Sequence, residues 1–208
     1  MASTTRRAST ASGRRAAVEA RILSAIGELL RDGKTYTELR VEQIAVAGGI
    51  SRSGFYLYFR DKVDVLLRLS SLLKSDSFEI VRHWQPCGPA GGLDGLARTY
   101  EQLFRHYCKH GSLLAAINEV AGYDASVLES RTSTQDQFID RTMKLLIEEQ
   151  LAGRTPADVD PLCAAKVMVQ GGLQVIAQHI ATSDGHDDAG VALEMACAAI
   201  GMASSGAL

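Results

Sequence analysis

The spacing of apolar residues constrains this chain more than any other feature. They recur at three- and four-residue steps along most of its length, the pattern of one buried face on successive α-helices. Val18, Ile22, Ala25, Ile26, Leu29 and Leu30 form the first such face, which Gly33 ends. A short second helix through Val41, Ile44 and Ala45 stops at the Gly48-Gly49 pair. Ser51 is placed to cap a third helix from Arg52 to Phe59, and Asp61 a longer one reaching Trp84. After a break at 86–92 (PCGPAGG) the pattern predicts helices over Leu93–Lys109, Leu113–Val120, Ala125–Leu151, Val159–Thr182 and Val191–Ser204, with a Gly/Asp-rich turn from Ser183 to Gly190. No stretch alternates with period two between turn signals, so the expected fold is all-α with about nine helices.

The net charge of −2 hides an asymmetry. Residues 1–62 hold eleven Lys and Arg against six Asp and Glu, whereas residues 63–208 hold eleven against eighteen. A basic end on an acidic body points to an anionic partner at the N-terminal end, a nucleic acid or a membrane surface. No apolar run is long enough to span a bilayer, and no apolar stretch follows the early arginines as in a secretory signal, which leads to an expectation of a cytoplasmic protein. Cys87, Cys108, Cys163 and Cys197 form no CxxC pair and fit free thiols in a reducing compartment. The expected organisation is a flexible tail at 1–15, a small helical domain at 16–62 and a larger one at 63–208.

The stretch from Leu39 to Lys62 carries the chemistry. Two short helices joined at Gly48, Gly49 and Ile50 form a helix-turn-helix pattern, in which the second helix can enter a DNA major groove. Ile44, Ala45, Ile50, Phe55 and Phe59 would pack the pair together. The opposite face offers Ser51, Arg52, Ser53, Gly54, Tyr56 and Tyr58, groups that reach base edges and phosphate oxygens. Gly54 would allow close approach to a phosphate, and Lys62 would hold one across the groove. The competing reading makes the four aromatics core residues; Phe55 and Phe59 share a face, which Tyr56 and Tyr58 cannot both join.

AGGISRSGFYLYFRDKVDVLL, residues 47–67, resembles the signature of the TetR family, with Tyr56 and Phe59 followed by Lys62 just inside the fourth helix. Val41-Glu42-Gln43-Ile44-Ala45 matches as well, and the resemblance covers about residues 17–70. It implies a three-helix DNA-binding domain joined by a long fourth helix to a bundle that binds a ligand and dimerises. Tyr56 and Lys62 would contact phosphates, and Arg52, Ser53, Gly54 and Tyr58 would face the groove. Arg40 departs from the Thr or Ser common there and would reach the DNA backbone as a cation. The implied partners are double-stranded DNA bearing a pseudo-palindromic operator, a small-molecule effector and a second copy of the chain. The implied role is that of a repressor released by a small, largely apolar ligand.

For the effector, aromatic and soft residues spread over several helices are the expected walls, namely Trp84, Tyr100, Phe104, Tyr107, Phe138 and Met143. Asn118, Gln170 and Gln174 are the expected polar contacts, because amides on apolar helices need partners. For the dimer, Leu162, Val169, Leu173, Ile176 and Ile180 form one apolar stripe, and Val191, Met195, Ala199 and Met202 a second. His106, Cys108 and His110 lack an acidic third ligand, so neither metal nor cofactor is expected. No nucleophile elbow, phosphate loop or carboxylate pair suggests an enzyme. Two rivals remain: a DNA-binding factor without a ligand, and a carrier or enzyme for an apolar molecule.

Overall fold

The computed structural model describes residues 4–31, 34–87, 91–182 and 187–204, with the backbone alone for residues 4–12, Leu23 and Arg31. Gly33, the centre of the 86–92 break and the 183–186 part of the Gly/Asp-rich turn lie outside the described residues. Nine helices and no strand occur among the described residues: α1 Thr4–Arg31, α2 Val41–Ala47, α3 Arg52–Tyr58, α4 Lys62–Arg82, α5 Gly92–Lys109, α6 Gly111–Ala121, α7 Ala125–Leu151, α8 Pro161–Thr182 and α9 Asp188–Ser204. The fold is all-α. No described helix is long and apolar enough to cross a membrane. The start of α1 differs from expectation, since the stretch read as a tail is helical from Thr4. Residues 4–15 lack an apolar face, but they are rich in Ala and Arg, good helix formers, and contain no proline.

The chain divides into two compact units, residues 1–72 with 112–129, and residues 73–111 with 130–208. The first therefore takes in the start of α4 and nearly all of α6, beyond the 16–62 stretch expected from sequence. Its core gathers Val18, Ile22 and Ile26 of α1, Tyr36 and Leu39 of the α1–α2 loop, Ile44 and Phe55 of the helix pair, and Val65 and Leu66 of α4. Ile117 and Val120 are the buried side of α6.

In the second unit α5 packs on α9, where Leu96 and Ala97 meet Ala196 and Ala199. Small side chains on α9 let the two helix backbones approach closely, which leaves the larger residues to shape the space beside them. Ile139 and Leu146 of α7 pack with Ala165 of α8. Phe78 and Phe138 stack at 4.2 Å between ring centres.

Candidate functional site

The helix pair is built around two glycines. Gly48 is buried, and a Cβ there would lie 2.3 Å from Cδ1 of Ile22. Gly49 takes a φ of +68°, a left-handed conformation that other residues adopt at a cost. Between them they end α2, and the amide of Ile50 then donates to Ala45 O at 2.9 Å. Ser51 caps α3 by accepting from the Gly54 amide at 2.9 Å. A Cβ on Gly54 would sit 3.0 Å from Ser51 Oγ, so this glycine leaves room for the cap as well as for an approaching ligand.

Phe55 is fully buried and pins α3 to the core, with the Phe59 ring centre 5.2 Å away. The remaining face of α3 is open. Ser51, Arg52, Ser53 and Tyr56 are exposed, and Tyr58 is half-buried. Leu57 stands 80% exposed among them, a position that the periodicity of core residues could not single out. Arg52 reaches Glu42 of α2 at 3.1 Å, an open pair on the surface. Arg40 is exposed at the start of α2, where its amide donates to Gln43 Oε1 at 2.9 Å. Arg15 of α1 donates to Tyr58 O at 3.0 Å and steadies the end of α3.

Lys62 does something other than what was expected of it. Its ammonium donates to the carbonyls of Tyr36, Thr37 and Leu39 at 3.2, 2.8 and 3.3 Å. An ammonium has three N–H donors, and the three carbonyls engage all of them in this structure. The Tyr36 hydroxyl returns the favour by donating to Lys62 O at 2.6 Å. From α6, the Glu119 carboxylate accepts from the amides of Tyr36 and Thr37 at 2.9 and 3.0 Å and from the Thr37 hydroxyl, which also lies 2.7 Å from Tyr123 Oη. Burial alone would raise the Glu119 carboxyl, but these donors and the Lys62 charge hold it below the ordinary range. The α1–α2 loop is thus gripped from both sides. Lys62→Ala is expected to lower the stability of this unit by about 1.5–3 kcal/mol, the range for hydrogen bonds to a charged group. It should leave the salt dependence of any DNA binding at the wild-type slope; a slope reduced by about one would restore the phosphate role.

The second unit contains a cavity of about 440 Å³. Of the expected walls, Trp84, Tyr100, Tyr107 and Phe138 line it. Phe104 does not; it is buried beside the His179 ring, 4.8 Å away. Met143 packs instead on Ile139, Leu146 and Ala165. Asn118 belongs to the first unit, and Gln170 and Gln174 are exposed. Helix phase explains the last two: Met168, Val169, Gly172, Leu173 and Ile176 turn one side of α8 to the cavity, and Gln170 and Gln174, each one residue beyond Val169 and Leu173, rotate past its edge and face away.

The same phase turns part of the expected dimer stripe toward the cavity. Val169, Leu173, Ile176 and Ala199 line the cavity, Ile180 and Val191 are half-buried, and Met195 lies against Gly172. Leu162, Val167 and Val175 of α8 and Leu193 and Met202 of α9 are exposed. Of the expected set, Leu162 and Met202 are the exposed members.

A helix pair closed by a glycine turn, with a polar, open second helix, defines a helix-turn-helix protein, and its other unit is a hollow helical bundle. No family model matches the chain. Over 147 residues it is 29% identical to the HTH-type transcriptional regulator EthR of Mycolicibacterium smegmatis, a match covering 69% of this chain and 66% of EthR, a little under two thirds of that protein's length. Among solved structures it resembles a TetR family transcription regulator from Marinobacter aquaeolei, with a TM-score of 0.63 and 18% identity over 90% of this chain and 97% of that one. It also resembles NalD of Pseudomonas aeruginosa, with a TM-score of 0.65 and 17% identity over 88% and 96%. The chain has the all-α fold of TetR family regulators.

Proposed function

We propose that the protein is a homodimeric transcriptional repressor that leaves a pseudo-palindromic operator when a small, largely apolar effector enters the second unit. The open face of α3 carries this reading: a helix held by Phe55 and capped by Ser51 presents Arg52, Ser53, Tyr56 and Leu57 as exposed side chains. Those are groups for base edges, phosphates and a thymine methyl. EthR is by name a transcriptional regulator and NalD the secondary repressor of a multidrug efflux pump, which supports the same role here. Pairing through the exposed apolar residues of α8 and α9 would give two recognition helices to two half-sites. Such a protein works in the cytoplasm, on DNA.

Fluorescence anisotropy with DNA from upstream of the gene, against a scrambled duplex at two salt concentrations, tests the reading. Selective binding that weakens with salt is expected. Binding that is equal on both duplexes, or none at low salt, would count against it. Arg52→Ala should narrow the gap between the two duplexes by about 1–3 kcal/mol, the value of a base contact. Tyr56→Phe should weaken binding to both alike, the signature of a phosphate contact.

A further inference from the structure

We infer that the cavity of the second unit takes an apolar monoanion, a hydrocarbon body with one carboxylate, and that Arg141 receives the carboxylate. This inference rests on reading the cavity as an effector site. The walls are mostly apolar, with Leu96 and Leu103 of α5, Phe138 and Leu145 of α7 and Leu173 of α8 among them. Their charged groups are Arg141, Glu149 and Arg154. Two of these three are spent on each other. Glu149 takes Arg154 in a two-pronged pair, with Nε and Nη2 both at 2.7 Å. The pairing lowers the Glu149 carboxyl and raises the Arg154 guanidinium, so each is fixed in its charged form.

Arg141 has no carboxylate partner among the described residues. One nitrogen, Nη2, donates to the carbonyls of Val81, Arg82 and Trp84 at 3.2, 3.1 and 3.3 Å. These bonds tether the guanidinium at the end of α4 and leave Nε and Nη1 without a protein partner among the described residues. Arg141 and Thr142 lie three and four residues after Phe138 and four and three before Leu145 on the cavity side of α7, so the cation sits among apolar neighbours.

Three kinds of ligand meet this wall differently. A cation finds no free carboxylate, because Glu149 is engaged. A neutral apolar molecule excludes water from Arg141 and leaves two donor nitrogens unmet, which is unfavourable. A monoanion fills the space with its hydrocarbon part and meets the unengaged edge with a carboxylate, in the two-bond geometry that guanidinium favours.

Trp84 is the chain's single tryptophan and lines the cavity, so its fluorescence reports occupancy directly. The probes are decanoate, methyl decanoate and decylamine, titrated into the full-length protein at neutral pH. Decanoate should bind about tenfold or more tighter than its methyl ester, as expected for a desolvated charge-assisted hydrogen bond, with decylamine weakest. Arg141→Gln should bring the acid-to-ester ratio close to one, and Arg141→Lys should keep a preference for the acid. A role confined to capping α4 would instead weaken all probes together. Methyl decanoate binding as tightly as decanoate to the wild-type protein would overturn the inference and leave the cavity as a site for neutral ligands. Failure of all three probes to bind would overturn it along with the effector reading, while operator binding, measured by anisotropy, would stand or fall separately.

Discussion

Val175→Arg is expected to turn the protein into a monomer by light scattering and to lower its operator affinity roughly a hundredfold or more, the loss when two linked half-site contacts become one. Five large apolar side chains, Leu162, Val167, Val175, Leu193 and Met202, are between 36% and 58% exposed on α8 and α9. Over the 22 residues of α8 the charged groups are Lys166 and, when protonated, His179. A soluble helix that faced only water would carry more charge on that side, so the composition fits burial against another copy. A guanidinium at position 175 would have to be desolvated twice in a symmetric interface. Quenching of Trp84 by a cavity ligand should persist, because Val175 lies off the cavity wall. A Val175→Arg protein that remains dimeric would move the interface elsewhere.

The second large effect is expected at Glu119. Glu119→Ala removes the acceptor of the Tyr36 and Thr37 amides and of the Thr37 hydroxyl. Denaturant unfolding should show a loss of about 1–3 kcal/mol, the cost of leaving such donors unmet. Operator affinity should fall too, because the loop between α1 and α2 sets where α2 begins. The wild-type contribution depends on pH in a definite sense. The folded carboxyl lies below its ordinary value of 4.5, so its stabilisation is complete above that value and disappears as pH falls through the lower, folded value. The gap between wild type and Glu119→Ala should therefore close in acid. A variant as stable as the wild type at neutral pH would show that water replaces the carboxylate without loss.

The helices were legible because burial imposes a period on the sequence. Ile44, Ala45 and Phe55 mark the helix pair in the sequence and are buried in the structure. What escaped has physical causes. Glu119 is 82 residues from Thr37, and nothing local to a surface glutamate on α6 marks it as a partner of that loop. Lys62 sits in a signature position that suggests a phosphate, but the carbonyls that claim it come from a loop read only as a connection. On α8 some apolar residues line the cavity and others are exposed, and a stripe of Val169, Leu173 and Ile176 looks the same in sequence whichever it serves. Gly49 is marked in the sequence only as part of the glycine pair that ends α2, since its left-handed φ is a property of the turn and leaves no periodic trace. Arg141 and the Glu149–Arg154 pair were invisible for a similar reason: charge on a long amphipathic helix ordinarily means solvent.

The pairing of Arg52 with Glu42 has a consequence for how a chain like this would search DNA. Each guanidinium arrives at a duplex already holding a carboxylate, so any phosphate it meets competes with an intramolecular rival. Exposed pairs of this kind are worth about 0–1 kcal/mol, too little to oppose a well-matched base contact. Against the weak, sequence-blind attraction of bulk DNA the same amount is a larger fraction. The pair would act as a discount on wrong sites, shortening the time spent there and leaving the right one nearly untouched.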